Sequence, residues 1–122
     1  VFATGALVQE SLQAAEALEN ENISVSIVNV STLKPIDEAL IVSEAKKHGA
    51  VVTAEDHNII GGLSDAVRQV LTNQEVYVPI QSVAVGDCFA ETGTGPELYK
   101  KYGLSASHVS DKIKQALSKK KP

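Results

Sequence analysis

The sequence predicts an α/β fold in which a parallel sheet is packed between layers of helices. Short β-branched or apolar runs alternate with stretches of helical periodicity along all 122 residues, and such alternation yields parallel strands joined by right-handed crossovers. Ala50-Val51-Val52-Thr53-Ala54 is nearly continuous apolar sequence, as a strand covered on both faces requires. Asn, Gly and Pro mark the junctions.

Val1-Phe2-Ala3 reads as a strand and Thr4-Gly5 as a tight turn, after which Val8, Leu12, Ala15 and Leu18 recur on one helical face. Asn20 to Asn22 stop that helix, and Ile23 to Val30 supplies a β-branched strand. Lys34-Pro35-Ile36-Asp37 opens the second helix: proline fixes φ at the entrance and Asp37 accepts orphan N–H groups of the first turn. Leu40, Ile41 and Ala45 form its stripe, Lys46, Lys47 and His48 complement its dipole, and Gly49 suits a left-handed stop.

The Ala50–Ala54 strand leads through a polar turn to Gly61-Gly62, and Leu63, Ala66, Val67, Val70 and Leu71 match an amphipathic helix. Thr72 to Glu75 is a loop. The strand within Val76 to Val85 is anchored at Ile80 to Val85, because Pro79 cannot donate to a central ladder. Gly86 to Gly95 reads as a loop, Pro96 to Tyr102 as a short helix stopped by Gly103, and Ser105 or Ser107 caps the last helix. Val109, Ile113, Ala116 and Leu117 line that helix. The loops after Ala3, Val30, Ala54 and Val85 then share the carboxyl edge of the sheet, where ligands and partners approach.

Fifteen acidic against 11 basic residues give a formal charge of -4, which argues against a general nucleic-acid or anionic-membrane surface. Lys119-Lys120-Lys121 is the locally basic stretch and reads as a solvated end. No run reaches the ~18 apolar residues of a membrane span. With Trp and Met absent, the core is expected to be aliphatic. Lone Cys88 excludes an internal disulfide framework and fits a reducing, cytoplasmic setting. The chain opens on what looks like mid-strand and without Met, so residues 1–122 are expected to be one domain of a larger chain.

Glu55-Asp56-His57 ahead of Gly61-Gly62 is the densest group of chemical side chains. A general acid/base role is one reading, since His titrates near neutrality beside carboxylates. Alternation opposes it: in extended backbone Glu55 and His57 point one way and Asp56 the other. The plainer reading has one carboxylate receive backbone N–H groups of the next helix while His57 bonds at a surface or interface. His48, His57 and His108 are too scattered for a metal-ligand spacing. The double glycine lacks both G-x-x-x-x-G-K-[ST] and G-x-G-x-x-G, so phosphate binding there is unspecific. Asp87 and Glu91 flank Cys88 and disfavour its thiolate, and Tyr99 and Tyr102 read as packing residues.

The order of these motifs resembles the C-terminal domain of transketolase and related thiamine-diphosphate enzymes. Thr4-Gly5, Lys34-Pro35-Ile36-Asp37, Glu55-Asp56-His57 with Gly61-Gly62-Leu63, Asp87-Cys88-Phe89-Ala90-Glu91-Thr92-Gly93 and Tyr102-Gly103-Leu104-Ser105 follow one another in the family's sequence. The Glu-Asp-His form looks most like transketolase, particularly the small subunit of a transketolase encoded in two pieces. Thr92 stands where serine is common and Cys88 where a larger polar residue is frequent.

The resemblance implies a three-layer α/β/α sandwich with a mostly parallel sheet of four or five strands, the fifth an antiparallel strand contributed just before Val1. It implies a non-catalytic assembly or regulatory domain of an enzyme that transfers a two-carbon ketol unit between sugar phosphates in the pentose phosphate pathway. No catalytic, cofactor or metal ligands are expected here; thiamine diphosphate and Mg²⁺ belong to the preceding domains of a homodimer or heterotetramer. Asp56, His57, Ile59, Gly61 and Gly62 are the expected contact surface toward another domain or subunit. Neither nucleic acid nor membrane is an expected partner. The alternatives are the equivalent domain of 1-deoxy-xylulose-5-phosphate synthase or of a 2-oxo-acid dehydrogenase beta subunit, and a free-standing anion- or nucleotide-binding module built on the Gly5 and Gly62 helix entrances.

Overall fold

The computed structural model describes residues 1–5, 7–30, 37–58, 62–85 and 105–120, with side chains at 56–58 and 84–85 outside the description. The strands are β1 (Phe2–Ala3), β2 (Val28–Asn29), β3 (Val51–Asn58) and β4 (Ile80–Val85). The helices are α1 (Leu7–Glu19), α2 (Glu38–His48), α3 (Leu63–Asn73) and α4 (Ala106–Ser118). They alternate with the strands, and the four strands pair in the order β2-β1-β3-β4, every pair parallel. Parallel pairing puts all four carboxyl ends on one edge, as the alternation predicts.

The period of two along each strand divides the core into layers. Ala3, Val52, Ala54 and Val83 pack with α1 and α4, while Phe2 and Val51 face α2 and α3. Both faces of the sheet are therefore covered, as the apolar run at Val51 and Val52 requires.

Several elements differ in detail from the sequence reading. The second strand is shorter: its ladder is Val28–Asn29, because β1 pairs only through Phe2 and Ala3 and offers the residues before Ser26 no partner. In α1 the buried face is Leu7, Ser11, Ala14 and Leu18, and Leu12 is 47% exposed. The true stripe is turned by one residue from the Val8-Leu12-Ala15 row, because the small side chain of Ser11 lets the helix lie close to its neighbours. Leu40 and Leu117, expected inside, are each 36% exposed at the margins of their helices.

Local signals did place the ends of α2. Asp37 Oδ1 accepts the Leu40 amide at 3.0 Å, and Gly49 stops the helix at φ 72°, its N–H bonded to the Ala45 carbonyl at 2.8 Å. The Lys34-Pro35-Ile36 entrance, the Gly86–Gly95 loop with Cys88, and the Pro96–Tyr102 helix lie outside the described residues.

Candidate functional site: the carboxyl edge of β3

The third strand runs on past Ala54 to Asn58, with its register against β4 slipping between Ala54 and Asn58. Glu55, Asp56 and His57 thus belong to extended backbone rather than to a turn. Asp56 and His57 sit in the last part of β3, at the carboxyl edge. Gly62 is the N-cap residue of α3, in extended conformation. Ile59 and Gly61 lie outside the described residues, so of the five residues only the backbones of Asp56 and His57, at the end of β3, and of Gly62, at the entrance of α3, are placed.

Gly62 has no side chain with which to cap α3, and the helix takes its cap from the strand instead. Glu55 Oε1 accepts the Leu63 amide and Oε2 the Ser64 amide, both at 2.9 Å. Two orphan donors of the first turn are satisfied by one carboxylate, which lies at the positive end of the helix dipole. Glu55 is only 1% exposed; burying it is tolerable because both oxygens are bonded.

Around this cap runs a chain of hydroxyls. Thr53, two residues before Glu55 and on the same face of β3, donates from Oγ1 to Ser82 Oγ at 3.0 Å. Ser82 is its register partner on β4. Ser82 Oγ and Ser64 Oγ are 2.7 Å apart, and Arg68 Nε donates to Ser64 Oγ at 3.1 Å. The network ties the first two turns of α3 to both strands, so the helix cannot slide on the sheet without breaking several bonds. The sequence signalled that a carboxylate would meet the α3 amides; which carboxylate, and the hydroxyl chain behind it, required the strand register.

A second carboxylate acts across a much longer separation. Glu10 on α1 accepts the Ala106 amide through Oε2 at 2.9 Å, capping α4 from another element. Ser105, placed as the cap by sequence, does hold the N-cap position, but its Oγ lies 2.6 Å from His108 Nδ1 and makes no capping bond. The other histidine cluster is at the opposite edge, where His48 Nε2 lies 3.0 Å from Ser26 Oγ and 3.3 Å from Glu44 Oε2. Both partners meet the same ring nitrogen, whereas base-assisted activation of a serine needs them on opposite nitrogens. That grouping is therefore not a nucleophile triad.

The α3 entrance does not fit the diphosphate of a thiamine diphosphate. The α3 entrance, where a diphosphate would look for free amides, already holds the Glu55 carboxylate, which would also repel it. The same occupancy removes the Gly62 entrance from the anion-module alternative. Among the described residues no three His, Cys, Asp or Glu side chains are grouped to hold a metal ion, and no helix is long and apolar enough to cross a membrane.

Residues 1–109 match the family model "Transketolase, C-terminal domain". The chain is 43% identical over 109 residues to the 6-deoxy-6-sulfo-D-fructose transketolase subunit SqwH of Clostridium sp. (strain MSTE9), covering 89% of this chain and 34% of that protein. It is 39% identical over 119 residues to the putative transketolase C-terminal section of Methanocaldococcus jannaschii, covering 98% and 37%. It is 40% identical over 115 residues to the 1-deoxy-D-xylulose-5-phosphate synthase of Caldanaerobacter subterraneus subsp. tengcongensis, covering 94% and 18%.

A solved structure described as "Split gene transketolase, inactive beta4 tetramer" superposes with a TM-score of 0.92 at 43% identity, covering 98% of this chain and 39% of that one. The chain thus spans little more than a third of its transketolase relatives. Sequence and superposition agree: the chain belongs to the transketolase C-terminal domain family.

Proposed function

We propose that this chain is the C-terminal section of a transketolase-type enzyme and that its work is assembly rather than chemistry. The complete enzyme transfers a two-carbon ketol unit between sugar phosphates, within the pentose phosphate pathway and in the cytoplasm. Thiamine diphosphate, with Mg²⁺, supplies the carbanion chemistry from the remaining sections of the enzyme. The reading is supported by relatives described as a transketolase subunit and a transketolase C-terminal section, and by a split-gene neighbour described as an inactive tetramer of one subunit type. Those descriptions favour transketolase over the synthase reading.

The observation that carries the assembly role is the double cap on α3. It consumes the amides that an anionic ligand would use and fixes the helix start beside the β3 end. Asp56, His57, Ile59, Gly61 and Gly62 are the proposed contact surface toward another domain or a second subunit, in a homodimer or a heterotetramer. A ketol-transfer assay tests the function: this chain alone is expected to be inactive and to complete an active enzyme when mixed with the cofactor-bearing sections. Turnover by the chain alone, or an active enzyme that gains nothing from it, overturns the reading.

A further inference from the structure

At the amino-terminal ends of β3 and β4, opposite the proposed contact edge, lies a groove of about 510 Å³. Arg68, Lys119 and Lys120 line it together with Tyr77, and no acidic side chain is among its described lining residues. On a chain of formal charge -4 this is a local reversal of sign.

One of the cations is anchored, and a second is given room. Arg68 is anchored through Nε to Ser64 Oγ at 3.1 Å, while its Nη2 makes long contacts, 3.4 Å to the Ile80 carbonyl and 3.5 Å to Ser82 Oγ. A planar fork oriented by one firm bond and two weak ones keeps donor capacity for a ligand. Lys120 is admitted by Gly49: its Cε lies 2.8 Å from where a Cβ on Gly49 would stand. Tyr77 is 79% exposed, beside the apolar Val78 and Pro79 of the same groove. An exposed aromatic ring of this kind offers a face for an apolar or planar body.

We propose that this groove binds a phosphorylated small molecule, its phosphate against Arg68, Lys119 and Lys120 and its body against Tyr77 and Pro79. Charge complementarity selects an anion, and the guanidinium fork favours phosphate oxygens, which it meets in pairs. The site is independent of the family reading, since it uses neither the Gly62 helix entrance nor the carboxyl edge.

Calorimetric titration of this chain with pyrophosphate, ADP and ribose 5-phosphate at low and moderate salt tests the proposal. Saturable, salt-sensitive binding of at least one is expected, and which one shows whether the phosphate alone, the planar base or the sugar is recognised. Lys119→Gln/Lys120→Gln should weaken that binding at least tenfold while leaving thermal unfolding unchanged. The proposal is overturned if none of the three binds, if the double variant binds equally well, or if a poly-glutamate peptide binds where the phosphates do not.

Discussion

The Glu55 carboxylate meets the Ser64 amide at 2.9 Å across the β3–α3 junction, while its second oxygen takes the neighbouring Leu63 amide at the same distance. A strand residue thereby caps a helix whose own N-cap, Gly62, cannot. The bonds are buried, so removal of the carboxylate leaves donors with no access to water. Glu55→Ala is expected to cost about 2–4 kcal/mol, each buried unsatisfied donor contributing about 1–3. Glu55→Gln, which keeps one acceptor and turns an amide toward the other N–H, should cost about half as much. Urea denaturation gives both values, and hydrogen exchange at Leu63 and Ser64 should accelerate before exchange in β3.

Gly49 and Lys120 make a second test. A side chain at Gly49 meets two obstacles, the positive φ of 72° and the Lys120 Cε at 2.8 Å. The conformational part alone is worth about 1–2 kcal/mol for a residue with a Cβ. Gly49→Ala is expected to lose that much or slightly more in thermal unfolding, and adding Lys120→Ala should recover only the crowding. Full recovery in the double variant would mean that the backbone is not strained.

Ser11 makes the opposite case. Its Oγ is buried in the α1 face and has no hydrogen-bond partner among the described residues. Ser11→Ala removes an uncompensated polar atom without opening a cavity, so a gain of about 0.5–1 kcal/mol is expected in denaturant unfolding. A loss of that size would reveal a bonding partner for the hydroxyl.

How far these features were legible depends on how far apart in the chain their partners lie. Asp37 capping Leu40 and Gly49 closing α2 are decided within one helical turn, and both were readable as patterns. The alternation of strands and helices was equally local, and it carried the parallel sheet. The buried face of α1 was misread because periodicity counts apolar residues, and Ser11 is polar but small enough to be packed. Glu10 capping Ala106 could not be read at all: the two residues meet only because α1 and α4 cover the same face of the sheet. The Thr53–Ser82 bond likewise depends on β3–β4 register, which no local motif encodes.

The central claim is that the end of β3 joins this section to the rest of the enzyme. Sedimentation of the chain with the cofactor-bearing sections, comparing the native sequence with Asp56→Ala/His57→Ala, tests it most directly. The native chain is expected to associate and the double variant to lose at least tenfold in affinity, with unchanged urea unfolding. Equal association by both would contradict it.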